Sequence, residues 1–273
     1  MNGFINQLIS AGIEENEAKK EIAILFSEFG KNNTEKIKNI VDERIKTRTP
    51  IQYLLGKAYF MDFEVKVNPK VLIPRPETEV LVEESVRRGK LRLAPTAIDI
   101  GTGSGIIAIA LAKLIPNIKI VAIDVEKEII DLAKENAIKN NVNEKINFKV
   151  CDLFSKCAEE LFKSNKFDFI ISNPPYISVR TTGRLSLQPE IIHEPEIALH
   201  GSRENKKGLI YYERIIELCR CRGNWPVAPT IIALEIDPPL VNDLKNLLKK
   251  NNLNNFEVIK DYTGLERCLF IVF

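Results

Sequence analysis

The sequence predicts an α/β fold, a doubly wound sheet covered on both faces, preceded by a small helical region and a β-hairpin connector. Two observations carry this. After Pro95, short apolar runs alternate with amphipathic stretches, and strands written as near-continuous apolar runs belong to sheets buried on both sides. Before Pro50, apolar residues recur instead at a helical spacing.

In chain order, "INQLISAGIEENEAKKEIAILFSEFG" places Ile5, Leu8, Ile9, Ile13, Ala18, Ile22, Leu25 and Phe29 near a helical period, with Gly30 as a C-cap. "NNTEKIKNIVDERIKTR" continues with Ile37, Ile40, Val41 and Ile45 on one face and Asn33 or Thr34 as N-cap. Residues 1–49 therefore read as a short antiparallel helix bundle. In "YFMDFEVKVNPKVLI" Phe63, Val65 and Val67 alternate with Glu64, Lys66 and Asn68, and Asn68-Pro69 marks a turn, which predicts a β-hairpin. "IPRPETE" then joins two prolines to an acidic run, the expected opening of a helix. Residues 50–76 read as a semi-rigid connector and 77–273 as the main domain. In it, strands are expected at 97–100, 118–123, 146–150, 167–172, 230–236, 256–260 and 268–273. Helices are expected at 106–114, 127–140, 208–219 and 240–249.

Bulk properties narrow the function. The 273 residues, 28% charged and 45% hydrophobic, are ordinary for a soluble globular protein. No apolar run approaches the roughly 20 residues of a membrane span, and the first residues lack a signal-peptide pattern. Five cysteines without a CxxC pair argue against a disulfide framework or a structural metal, so a reducing cytoplasm is expected. The net charge is only +2. Residues 1–50 balance Lys/Arg at 19, 20, 31, 36, 38, 44, 46 and 48 against Asp/Glu at 14, 15, 17, 21, 28, 35, 42 and 43. That region is a poor clamp for a nucleic-acid backbone and suits a protein partner.

The chemistry-bearing residues lie at strand ends, where doubly wound sheets bind ligands. "DIGTGSG" sets Gly101, Thr102, Gly103, Ser104 and Gly105 between a strand and a helix, where glycines allow close backbone approach. A dinucleotide fingerprint would want glycine at 106, where Ile stands. The next strand ends in Asp124, a ribose-hydroxyl acceptor, and the third in Asp152 and Leu153, suited to an adenine ring. One nucleoside site without a nicotinamide half suits S-adenosylmethionine.

The fourth strand delivers Asn173-Pro174-Pro175-Tyr176. Both prolines lack an N–H, so this backbone offers carbonyl acceptors with fewer competing donors. The Asn173 side-chain carbonyl and the Pro174 backbone carbonyl would each accept one hydrogen of a planar –NH2, with Tyr176 as a flat wall. No strong general base is needed, so His193 and His200 are expected to be structural or solvent-facing. Asp237-Pro238-Pro239 also follows a strand, but Leu240 replaces the aromatic, and Asp237 as N-cap with Pro238 at the first helical position accounts for it.

"LIPRPETE" (72–79), "DIGTGSG" (99–105), "NPPY" (173–176), "EPEIAL" (194–199) and "KDYTGLER" (260–267) together resemble the peptide-chain release factor glutamine N5-methyltransferases. The resemblance implies a class I S-adenosylmethionine-dependent methyltransferase with a Rossmann-like sheet. It further implies methyl transfer to the side-chain amide of the glutamine in the release factor's Gly-Gly-Gln loop. By position, Gly101 to Gly105, Asp124, Leu153 and Asn173 would contact cofactor, beside Asp152. Asn173, Pro174, Pro175 and Tyr176 would hold the glutamine, with Asn173 and Pro174 catalytic. Residues 1–49 would dock the release factor, and a monomer without direct nucleic-acid binding is expected. The chain departs from the family pattern in "CRCRGNWPVAP", "EIDPPL", "GSRENKKGL" and at Leu153. NPPY is shared with adenine-N6 and guanine-N2 methyltransferases of nucleic acids, which keeps that alternative open. A non-enzymatic S-adenosylmethionine-binding module would instead predict a degraded clamp.

Overall fold

The computed structural model describes residues 1–89, 95–176, 189–201, 208–220 and 230–273. Residues 202–207 of "GSRENKKGL" and 221–229 of "CRCRGNWPVAP", two of the departures from the family pattern, lie outside them. At the centre is a seven-stranded sheet of order β5-β4-β3-β6-β7-β9-β8. It comprises β3 (Thr96–Ile100), β4 (Lys119–Asp124), β5 (Ile146–Val150), β6 (Phe169–Ser172), β7 (Ile231–Glu235), β8 (Phe256–Lys260) and β9 (Glu266–Val272). The first five run parallel, and β9 runs antiparallel to both β7 and β8. Strand order reverses between β3 and β6, which creates a crevice beyond their carboxyl ends. There Ile100 is in register with Ser172, and Ser172 Oγ donates to the Ile100 carbonyl at 2.7 Å.

The apolar runs succeed as strands because both faces are covered. One face meets α6 (Ile106–Leu114), α7 (Lys127–Lys139), α5 (Pro76–Gly89) and the hairpin, with Phe60, Leu111, Ala122 and Phe270 in one core. The other meets α8 (Lys156–Ser164), α9 (Ile210–Arg220) and α10 (Val241–Lys250), with Ile98, Phe162, Tyr212 and Leu244 in a second. Helix α8 was not among the expected elements. Its nine residues bury only Ala158, Leu161 and Phe162, too short a stripe to announce a period. The cysteine expectation is also corrected: Cys151 and Cys157 form a disulfide, while Cys268 is free and buried.

The N-terminal region has its own core of Leu8, Ile22, Leu25, Ile37 and Val41. Its first expected stretch is two helices, α1 (Asn2–Ser10) and α2 (Glu15–Phe29). Gly12 takes a left-handed φ of 83°, and the amide of Ile13 returns to the Leu8 carbonyl at 3.0 Å. This glycine-terminated helix end interrupts the chain while the apolar spacing continues. Helices α3 (Thr34–Thr47) and α4 (Ile51–Leu55) follow, the latter inside what reads as connector. Asn33 stands at the N-cap of α3, but its amide donates back to the Phe29 carbonyl at 2.6 Å. Arg44 of α3 is buried, donating to Glu21 of α2 at 3.0 Å and to Glu190 at 3.0 Å.

The hairpin consists of β1 (Lys57–Phe60) and β2 (Phe63–Lys66). Phe60 pairs with Phe63, so its reversal is at Met61-Asp62, not at Asn68-Pro69. Met61 adopts a φ of 50° there, and its amide is held by Glu79 at 2.9 Å. Asn68 builds a separate turn, its side-chain oxygen accepting from the Lys70 amide at 2.9 Å. The wholly buried Asn136 of α7 then fastens the hairpin to the sheet. It accepts from the Lys66 amide at 2.7 Å and donates to the carbonyls of Lys66 and Ser104, each at 2.9 Å.

Candidate active site

A cavity opens at the carboxyl ends of β3, β4 and β6. Gly101, Thr102, Gly103, Ser104, Asp124, Asp152, Leu153, Asn173, Pro174 and Pro175 line it together. Their convergence follows from the local chain. The amides of Gly101 and Thr102 both donate to the Ile123 carbonyl, at 2.9 and 3.0 Å, tying the turn to the next strand. Asp99, wholly buried at the end of β3, accepts from Thr102 Oγ1 at 2.7 Å and from the Ala108 amide at 3.2 Å. A carboxylate by the first turn of α6 suits that helix end, yet burial pushes its pKa up to about 7.

Asp124 lies across the turn from Asp99. Its Oδ2 accepts from the Gly103 amide at 2.9 Å and its Oδ1 from the Val125 amide at 2.8 Å. Burial raises its pKa, while the Gly103 and Val125 amides oppose the rise. An ionised carboxylate has about four acceptor sites, so two hydrogen bonds leave capacity for ribose hydroxyls. At the third strand end, Asp152 Oδ1 accepts from the Phe154 amide at 2.9 Å, which shapes the turn that brings Leu153 to the cavity.

These residues fit S-adenosylmethionine. Gly101 and Gly103 take φ values of 70° and 55°, and the space a Cβ would enter at each is empty to 4 Å. Backbone can approach a ligand there. Gly105 is placed differently from the expectation. It does not line the cavity, and a Cβ on it would sit 3.3 Å from Ala133 Cβ and from Ile109 Cδ1. Its absent side chain serves the packing of α6 on α7.

Asn173 lines both this cavity and an adjoining groove, which Tyr176 faces. The groove runs past Arg75 and Glu77 to Glu17, Lys20 and Ile24 of α2. Arg75 Nη2 reaches both carboxylate oxygens of the buried Glu194, at 2.8 and 2.6 Å. That pair joins "IPRPETE" to "EPEIAL". Beneath the clamp, Thr78 Oγ1 stands 3.3 Å from Asn173 Nδ2 and donates to Glu235 Oε2 at 2.6 Å. Tyr176 Oη donates to Glu235 Oε1 at 3.3 Å. Burial pushes the pKa of Glu235 up to about 7, opposed by Thr78 and Arg267, and burial also raises that of Tyr176.

Neither Thr78 nor Glu235 emerged from the sequence. Thr78 is hidden in an acidic helix opening, and Glu235 looks like a strand residue ahead of Asp237-Pro238-Pro239. Those prolines open a 3-10 turn (Pro238–Leu240) with Asp237 at its N-cap position and no side-chain cap bond. Of the histidines, His193 Nε2 lies 2.9 Å from the Thr47 carbonyl, a contact with the helical region.

A family model described as a methyltransferase domain matches residues 94–207. The chain is 37% identical over 238 residues to the release factor glutamine methyltransferase of Thermodesulfovibrio yellowstonii, covering 86% of this chain and 80% of that protein. It belongs to the release factor glutamine methyltransferase family. The homologue from Fusobacterium nucleatum is 35% identical over 94% of this chain and 68% of its own. A solved methyltransferase from Pyrococcus furiosus aligns with a TM-score of 0.51 at 21% identity, over 77% of this chain and 87% of that one, a likeness of fold. Release factor glutamine methyltransferases use S-adenosylmethionine as methyl donor, in keeping with the glycine loop and Asp124. Among the described residues no helix is long and apolar enough to cross a membrane, and no group of three metal-ligating side chains occurs.

Proposed function

We infer that this protein transfers a methyl group from S-adenosylmethionine to the side-chain amide nitrogen of the glutamine in the Gly-Gly-Gln loop of peptide-chain release factors. The observation that carries the reading is the position of Asn173, on the wall shared by the cofactor cavity and the groove that leads to α2. A glutamine amide entering from the groove side meets the clamp, and the cavity lies beyond it.

When bound, S-adenosylmethionine supplies an electrophilic methyl group on a sulfonium. The chain's own contribution is positioning. Gly101, Thr102, Gly103 and Ser104 lend backbone to one side of the nucleoside site, Asp124 accepts from ribose hydroxyls, and Asp152 and Leu153 border the base. Asn173 Oδ1 and the Pro174 carbonyl accept the two N–H bonds of the glutamine amide, which turns its nitrogen toward the cavity. Pro175 stiffens the segment and Tyr176 walls the planar group. An amide nitrogen is a poor nucleophile, so fixing it in line matters: well-oriented reactions reach effective molarities of roughly 10⁵–10⁸ M. A nitrogen that gains a methyl must shed a proton, and solvent suffices as its acceptor.

Residues 1–49 act as the docking surface, 50–76 as connector and 77–273 as the methyltransferase domain. The even charge of residues 1–50 supports a protein partner rather than nucleic acid, in a cytoplasmic monomer. The test offers labelled S-adenosylmethionine with purified release factor, its Gln→Ala loop variant, total RNA and unmethylated DNA. Label on the factor and none on the variant is the expected result. Label on nucleic acid instead would retain the clamp and overturn the substrate.

A further inference from the structure

An asparagine amide presents an acceptor on one side and a donor on the other, and a 180° turn exchanges them. Only one orientation of Asn173 serves an –NH2 acceptor group. Nothing in the Asn-Pro-Pro-Tyr segment itself decides which orientation is taken.

We propose that Glu235, acting through the Thr78 hydroxyl, sets the orientation of the Asn173 amide and so makes the clamp selective for a nitrogen that carries two hydrogens. This rests on the reading of the acceptor as a planar –NH2. Thr78 and Glu235 are positioning residues, since neither needs to touch the substrate.

The Thr78 hydroxyl can give its proton to one partner only. Thr78 has one hydroxyl proton and lies between two partners, 2.6 Å from Glu235 Oε2 and 3.3 Å from Asn173 Nδ2. Above its pKa of about 7 Glu235 is a carboxylate that only accepts, and a charge-assisted bond is the stronger one. The proton therefore goes to Glu235, and the Thr78 oxygen can only accept from Asn173. That directs Nδ2 toward Thr78 and leaves Oδ1 as the acceptor for the incoming amide. The same carboxylate receives Tyr176 Oη at 3.3 Å, so two members of the clamp refer to one buried anchor.

The relay spans the chain. Thr78 opens α5, where Pro76 starts the helix and the Thr78 amide returns to the Arg75 carbonyl at 3.1 Å. Glu235 closes β7, the strand next to the one that carries Asn173. Both relay side chains are buried, with relative exposures of 1%, so water does not compete for the single proton. Burying a carboxylate here is costly unless it is satisfied. Fixing the acceptor geometry is the function such a cost would support.

Glu235→Gln replaces one acceptor oxygen with a donor. Its amide can donate to Thr78, whose proton is then released toward Asn173 and favours the flipped amide. Thr78→Val removes the connection altogether. Each is expected to lower kcat about 10- to 100-fold, in the range that misplaced reacting groups cost. Affinity for S-adenosylmethionine, measured by calorimetry, should stay within about threefold. Thr78→Ser should restore the turnover that Thr78→Val loses, and the double variant should fall no further than the worse single one, as expected for coupled residues.

A second measurement needs no acceptor. The side-chain NH2 resonances of Asn173, assigned by their loss in Asn173→Ala, should shift in both Glu235→Gln and Thr78→Val. Folded, cofactor-binding variants with wild-type kcat, or Asn173 resonances that do not move, would overturn the relay. If wild-type enzyme labels nucleic acid and not the release factor, the substrate reading fails, while the resonance shifts still decide the relay.

Discussion

The glycine loop at 101–105 and the clamp at 173–176 sit on neighbouring strands, yet they are held by different means. The loop is secured by what lies beside it: two amides on the Ile123 carbonyl, one on Asp124, and Thr102 on Asp99. Two of those bonds end on one backbone carbonyl and two on carboxylates, and all three partners sit at the ends of β3 and β4, so the site follows from the sheet once the glycines are present. The clamp is secured by side chains distant in sequence. Asn173 meets Thr78 across 95 residues, and Thr78 meets Glu235 across 157. A site held by the ends of its own and the next strand therefore tolerates much change around it, whereas one made of long-range side-chain contacts is exposed to change at any member.

The largest expected effect separates the two halves outright. Asn173→Ala should cut methyl transfer by about 10²–10³, the usual cost of removing one preorganised polar group that orients reacting atoms. Cofactor affinity should hardly move. Comparable losses of affinity and turnover in one titration series would erase the division between the halves.

Asn136→Ala probes the exception on the loop side, where a distant side chain does contribute through the Ser104 carbonyl. It strips partners from three buried or half-buried backbone groups, so a destabilisation of about 2–4 kcal/mol is expected. Thermal unfolding should show it, accompanied by weaker cofactor binding. Unchanged melting would mean that the hairpin and loop keep their places without this bridge.

The smallest effect is a pH dependence. Glu235 in the folded state has a pKa of about 7 because it is buried, above the roughly 4.3 of an exposed glutamate. Its contribution to stability is therefore complete below about pH 4 and is lost as pH rises through about 7. The charged or titrating groups facing it are Arg267 and Cys268 of β9, Glu77 of α5, Tyr212 of α9, and Tyr176. Among these, Arg267 and the hydrogen bond from Tyr176 favour the carboxylate. Glu235→Gln should flatten the fall in melting temperature between pH 5 and 8, by on the order of 1 kcal/mol at the upper end. Asp99, raised likewise to about 7, keeps its share of the slope in that variant. Parallel curves for both proteins would remove Glu235 from the titration.

How much of this could be read from the sequence follows the same division. The strands showed themselves because burial on both faces makes an unbroken apolar run, and the glycine loop because positive φ values select glycine. The relay left no such trace. Thr78 and Glu235 are common residues in ordinary places, and only the fold brings them under Asn173. The segment "IIALEIDPPL" illustrates the limit. Its proline pair resembles a second clamp and is a 3-10 turn, while the consequential residue is the Glu235 just ahead of it. The split between α1 and α2 was hidden for another reason: the apolar spacing runs on through Gly12. The joining of Cys151 to Cys157 was missed because compartment and spacing argue against a disulfide in general but cannot exclude one between two near neighbours.

The bond from Ser172 Oγ to the Ile100 carbonyl has a consequence beyond holding two strand ends together. Adjacent strands stand about 4.7–4.9 Å apart whatever their side chains, so the distance between the root of the glycine loop and the root of the clamp is measured out by the sheet itself. The protein carries a ruler. Loops and helices around the groove can be exchanged, and the spacing of these two roots stays the same.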